Sequence, residues 1–151
     1  MATRLGGGFR GPDGAVGYLL RQAQLTLRTA LDAALRDLGL TTPQYSVLSV
    51  LEVEPGVSGA ELARTSMLTP QTTNAILVAL QRAGHIVRTP STHDGRVLQA
   101  RLTDTGHALL GRARERVAEV ERRMTAPLTD QQAAQLRQWL VACARALDQP
   151  P

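Results

Sequence analysis

The stretch Ser58–Leu102, SGAELARTSMLTPQTTNAILVALQRAGHIVRTPSTHDGRVLQARL, decides the fold. It reads helix, turn, helix, hairpin. Ser58-Gly59-Ala60-Glu61 is a capping box: the Ser58 hydroxyl accepts the Glu61 N–H, and the Glu61 carboxylate reaches back. A short helix follows, to about Thr65. Thr69 caps a second helix, with Pro70 at its first position, where a missing N–H costs nothing. Thr73, Ile76, Leu77 and Leu80 fall on one face of this helix, which the spacing predicts to be buried. Gly84 ends it.

The other face carries the chemistry. At about 100° per residue, Gln71, Asn74, Ala75, Val78 and Arg82 point away from the core. Gln71, Thr72 and Asn74 offer short neutral donors and acceptors near the helix start, with Thr69 at its entrance. Gln and Asn suit adenine in a major groove, and Ala75 and Val78 suit a thymine methyl. A plain solvated helix face reads the same way until the hairpin is taken with it.

That hairpin runs His85–Pro90, turns through Ser91-Thr92-His93-Asp94-Gly95, and returns along Arg96–Leu102. Asp94-Gly95 is a strong turn signal, because glycine supplies a positive φ. Leu98, Ala100 and Leu102 alternate with Val97, Gln99 and Arg101, as in a half-buried strand. Arg96 sits at the tip, where it can enter a narrow, electronegative minor groove. Asp94 beside it is expected to orient the guanidinium through an ion pair.

Three segments then carry a resemblance. Asp94-Gly95-Arg96, six residues before Leu102-Thr103-Asp104-Thr105-Gly106, resembles the wing-to-helix signature of the MarR family of bacterial transcription regulators. Leu40-Thr41-Thr42-Pro43-Gln44-Tyr45-Ser46-Val47-Leu48 resembles that family's second-helix opening. Leu80-Gln81-Arg82-Ala83-Gly84-His85-Ile86-Val87-Arg88 resembles the exit from its recognition helix. The similarity spans about Gly14 to Leu147. It implies a recognition helix over Thr69–Gly84, wing residues Asp94 and Arg96, and a homodimer. It also implies a small, often aromatic and anionic, effector bound between the dimerisation helices and the winged segment, near Tyr45. An ordinary packed core aromatic is the alternative reading of Tyr45.

Composition agrees with a nucleic-acid partner. The 151-residue chain has net charge +4, and all 17 basic residues are arginine. Between Ser58 and Leu102 five arginines face two acids, a local charge of +3. One cysteine, Cys143, excludes an internal disulfide framework and fits the cytoplasm. No 18-residue apolar run exists to span a membrane. Enzyme chemistry finds no purchase: His85, His93 and His107 lack metal-ligand spacing, and Gly6-Gly7-Gly8 is not followed by the lysine of a phosphate loop. Neither a cofactor nor a metal is expected.

Around the winged segment lie long helices. Residues 1–14, with five glycines, read as a flexible arm whose Arg4 and Arg10 can reach phosphate. Ala15–Leu38 carries the heptad seam Val16, Leu20, Ala23, Leu27, Ala30, Ala34. Thr42 is expected to cap the next helix, with Pro43 at its first position. Thr103 caps a helix with the seam Leu110, Ala113, Val117, Val120, Met124, which Pro127 breaks. Thr129–Gln132 is another capping box, and Ala133, Leu136, Leu140, Cys143 and Leu147 form a third, buried seam.

The expected fold is therefore mainly α with a small β wing. A winged helix-turn-helix at 39–102 is flanked by dimerisation helices at 15–38 and 103–148. Striped helices without a full core in one chain argue for a homodimer with intertwined ends. The expected function is a ligand-responsive repressor acting on a pseudo-palindromic double-stranded operator. The alternative is a winged-helix module that binds protein, whose recognition face would be more apolar or acidic.

Overall fold

The computed structural model describes residues 13–148. The expected N-terminal arm lies outside them but for Asp13 and Gly14. The helices are α1 (Val16–Leu35), α2 (Thr42–Val53), α3 (Gly59–Thr65), α4 (Pro70–Arg82), α5 (Asp104–Thr125) and α6 (Asp130–Asp148). Strands β1 (Ile86–Pro90) and β2 (Leu98–Leu102) lie between α4 and α5. The chain is thus mainly helical with a two-stranded wing.

Local chemistry explains most boundaries. α1 ends at Leu35 and tightens into one 3-10 turn, Arg36–Leu38, closed by Gly39 at φ 67°. Ser58 and Glu61 form the expected capping box, as do Thr129 and Gln132. The cap of α2 is Thr41, one residue earlier than expected, in a reciprocal box with Gln44. Thr42 is taken instead by Asp32 of α1, whose carboxylate accepts its backbone N–H at 3.0 Å and its hydroxyl at 2.6 Å. These bonds, the hydroxyl's first, hold the Asp32 carboxyl below its ordinary range.

β1 and β2 are antiparallel, with Ile86 opposite Leu102 and Pro90 opposite Leu98. A third short segment joins them. Ser58 bridges to Gln99, the Gly56 N–H reaches the Ala100 carbonyl at 2.9 Å, and the Ala100 N–H reaches Val57 at 3.4 Å. The wing is thereby fastened to the start of α3.

One core serves the winged segment. Leu35, Val47, Leu48, Leu51, Leu62, Leu77, Leu80, Ile86 and Leu110 are essentially inaccessible. In α4 the buried residues are Thr73, Ile76, Leu77 and Leu80, as the periodicity predicts. Of the expected inward strand positions Ala100 is buried, whereas Leu98, at the tip end of β2, is exposed.

The terminal helices behave differently. α1 packs chiefly along α5, and α6 has no substantial packing partner among the described residues. Its expected buried seam is exposed at Leu140, Cys143 and Leu147, and no residue of α6 is buried. The reason is that an apolar stripe is covered only if a neighbour exists, and the described residues of one chain place none against it.

Candidate nucleic-acid interface

The start of α4 is held by Thr69, whose hydroxyl oxygen accepts the Thr72 N–H at 3.1 Å. The Thr69 hydroxyl also donates to Thr72 Oγ1 at 2.9 Å, so the two side chains are tied together. Thr73 bonds back to the Thr69 carbonyl at 3.0 Å, which roots the buried face. With these groups committed, Gln71 and Asn74 project freely. Gln71, Thr72, Asn74 and Ala75 are exposed, while Val78 is half-buried, at the edge of the face.

The wing tip is built by hydrogen bonds from side chains to backbone. Ser91 Oγ accepts the N–H groups of His93 at 3.2 Å and Asp94 at 3.5 Å. Asp94 Oδ1 accepts the Arg96 N–H at 3.0 Å. The expected Asp94–Arg96 ion pair is not among the salt bridges of the described residues. Asp94 is a turn-former, because an Asx side chain reaches a backbone N–H two residues on more readily than an adjacent long cation. It leaves the exposed Arg96 guanidinium outside the ion pairs of the described residues.

Sequence reasoning missed the turn between α3 and α4. Met67 there has φ 52°, a left-handed conformation unusual for a non-glycine residue, and is 94% exposed. The signal was weak because Ser66-Met67-Leu68 contains neither glycine nor asparagine. It also missed Arg88 on β1, half-buried, with its Nε hydrogen lacking a partner among the described residues.

Tyr45 is half-buried against the core, and its hydroxyl lies beside Arg114 of α5. Arg114 is paired with Glu52 of α2, and that contact holds the Glu52 carboxyl below its ordinary range. His107 Nδ1 stands 3.9 Å from the same carboxylate. Two of the cavities adjoining α1 have contrasting walls. One, of about 480 Å³, is an apolar groove against α5, lined by Leu19, Ala23, Leu27, Val120 and Met124, with Gln22 and Arg123 among its polar groups. The other, of about 230 Å³, lies between α1, α2 and the α3–α4 turn, with Arg28, Thr42, Ser46 and Ser66 on its wall. The Ser66 hydroxyl oxygen is buried there without a hydrogen-bond partner among the described residues.

Among the described residues no three His, Cys, Asp or Glu side chains are grouped to hold a metal ion. No helix among them is long and apolar enough to cross a membrane.

Comparison with known proteins matches this arrangement. The MarR family model matches residues 38–97. The HTH-type transcriptional repressor Rv2887 of Mycobacterium tuberculosis is 41% identical over 128 residues, 85% of this chain and 92% of that protein. The structure of Rv2887 in complex with salicylic acid superimposes with TM-score 0.71 at 40% identity, covering 87% of this chain and 98% of the other. The transcriptional repressor CouR, bound to a 23-mer DNA duplex, superimposes with TM-score 0.81 at 35% identity, covering 86% and 92%. A helix-turn-helix with an exposed polar recognition face, a wing fastened beside it, and whole-chain likeness to repressors of this kind have one reading: the chain belongs to the MarR family of winged helix-turn-helix transcription regulators.

Proposed function

We propose that this protein is a homodimeric transcriptional repressor that binds a pseudo-palindromic operator and is released by a small aromatic or anionic ligand. The observation that carries the reading is the α4 face. Gln71, Thr72, Asn74 and Ala75 are exposed together on a helix whose other side is the core. Thr69, Gln71, Thr72, Asn74, Ala75 and Val78 would meet base edges and the adjoining backbone in the major groove, and Asp94 would set Arg96 for the minor groove. Such a protein works on chromosomal DNA in the cytoplasm by binding, without catalysis.

The dimer is supported by apolar residues left exposed on the terminal helices: Val16, Leu20 and Leu25 on α1, and Trp139, Leu140 and Leu147 on α6. A second copy would cover them, leaving residues 15–38 and 103–148 as the dimerisation region. The ligand reading is supported by the smaller cavity, where Arg28 offers the cation and Ser66 an unused hydroxyl oxygen. It also rests on the likeness to a relative solved with salicylic acid. Tyr45 is proposed as a ligand residue at the junction of the dimerisation helices and the winged segment, where its hydroxyl lies beside Arg114.

The test is a titration of the purified protein against a labelled duplex from upstream of its own gene, with and without salicylic acid. Sedimentation of the same samples reports the oligomeric state. The reading expects a dimer covering two half-sites about one helical turn apart. It expects the acid to weaken DNA binding while the dimer persists, and DNA to weaken acid binding by the same factor. Monomeric stoichiometry on one half-site, or monomers appearing as DNA binding is lost, overturns it.

A further inference from the structure

We infer that Thr103 and Thr105 are positioning residues for DNA recognition: they bolt the exit of α4 to the first turn of α5, so that the direction of α5 sets where Gln71 and Asn74 stand. The inference rests on the DNA-binding reading and adds to it the residues that orient the reading head.

The geometry is compact. The Thr103 and Thr105 hydroxyls both donate to the Gly84 carbonyl oxygen, at 2.7 and 2.8 Å, occupying its two lone pairs. The Thr103 N–H donates to the next carbonyl, His85, at 3.1 Å. Both gripped residues are extensions of the recognition helix. The Gly84 N–H bonds the Gln81 carbonyl at 3.0 Å, and the His85 N–H bonds the Leu80 carbonyl at 3.0 Å. Gly84 has φ 76°, the left-handed helix stop that turns its carbonyl away from α4. Thr103 is the N-cap of α5, and Thr105 lies in its first turn. Holding Gly84 and His85 therefore holds α4, and the hold is applied by α5.

The bolt also connects distant parts. α5 has 22 residues, a rod of about 33 Å. Its far end, at Val120 and Met124, borders the groove beside α1. A change in how α1 and α5 meet there is carried along a rigid helix to the Gly84 turn, with no flexible linker between.

The two hydroxyls differ in duty. Thr103 Oγ1 also accepts the Gly106 N–H at 3.1 Å, so it caps α5 as well as gripping Gly84. Thr105 does not cap α5: besides Gly84, its hydroxyl meets only Thr103 Oγ1, at 2.9 Å, among the described residues. Thr105→Val, which keeps the shape and removes the hydroxyl, is therefore the selective substitution, and Thr105→Ser, which keeps the hydroxyl, is its conservative control.

The experiment compares native, Thr105→Val and Thr105→Ser proteins on three duplexes. These are the footprinted upstream sequence, the same sequence with its half-sites one base pair further apart, and random DNA of equal length. The inference expects Thr105→Val to lose about three- to tenfold in affinity for the upstream duplex, the scale of one hydrogen bond. It expects unchanged affinity for random DNA, a smaller preference for the native spacing, and recovery in Thr105→Ser. Equal losses on all three duplexes, no loss on any, or failure of Thr105→Ser to recover overturns the positioning role. Failure of the native protein to distinguish its upstream duplex from random DNA overturns the DNA reading itself, and this inference with it.

Discussion

The His85 carbonyl oxygen occupies the space in which a side chain at residue 106 would begin: a Cβ built on Gly106 stands 2.0 Å from it. The first turn of α5 approaches the α4 exit this closely because residue 106 has no side chain. The obstacle is backbone on both sides, so no rotamer change relieves it. Gly106→Ala is expected to destabilise the fold by about 3 kcal/mol or more, at or beyond the upper end of ordinary overpacking. Urea denaturation measures this, and a change below about 0.5 kcal/mol, the surface level, would contradict the geometry.

Base reading should be separable from affinity for any DNA. Gln71 and Asn74 are exposed, and neither side chain anchors the fold. Replacing either with alanine is expected to cost about 1–3 kcal/mol on the operator if its contact is bidentate, with little change on random DNA. Equal losses on both would reassign the residue to phosphate contacts.

At the wing tip, Asp94 and Arg96 should divide their roles. Arg96→Ala is expected to leave stability within about 0.5 kcal/mol of native, as at other exposed sites, and to weaken DNA binding. Asp94→Ala removes the acceptor for the Arg96 N–H and should weaken DNA binding by loosening the turn. Asp94→Asn, which keeps an acceptor oxygen there, should preserve binding. If Asp94→Asn were as damaging as Asp94→Ala, the carboxylate charge rather than the hydrogen bond would be the active feature.

Met67 pairs a left-handed backbone with a side chain almost wholly in solvent. Glycine there removes the Cβ conflict and sacrifices almost no packing. Met67→Gly is expected to raise stability by about 0.5–1 kcal/mol, the conformational strain outweighing the added freedom of the unfolded chain. A lowered melting temperature would show that the Met67 side chain has a packing partner after all.

Asp32 joins α1 to the N-terminus of α2, and its pH dependence follows from the two bonds of Thr42. They depress the folded-state pKa, so the stabilisation is present above the ordinary aspartate value. It is lost as pH falls through the lowered folded value. Asp32→Ala should cost about 1 kcal/mol at neutral pH, as for a lost helix cap. Thermal melts should show the gap between native and variant closing under acid conditions. A gap that stays constant down to acid pH would place the loss in packing rather than in the charge.

Much of this molecule is written in local pattern. The buried face of α4, the boxes at Ser58 and Thr129, and the Gly84 stop depend on neighbours within four residues, so spacing and side-chain chemistry decide them alone. The polar composition of Gln71, Thr72 and Asn74 was legible for the same reason. Where two candidates stood side by side, local pattern failed. Thr41 and Thr42 are chemically equal caps, and only Asp32, ten residues before Thr42, takes one of them out of contention. The Asp94–Arg96 pairing inverted because backbone geometry brought the carboxylate to an N–H. The Ser58–Gln99 bridge and the grip of Thr103 and Thr105 on Gly84 join residues about twenty to forty positions apart. No periodicity encodes those contacts, which exist because the core closes around Leu48, Leu77 and Leu110 and brings the ends of α4, β2 and α5 together. The exposed stripe of α6 marks the boundary between the two kinds of information. Its amphipathic pattern is set by the amino acids, but whether the stripe is covered depends on a neighbour that the described residues of one chain do not supply.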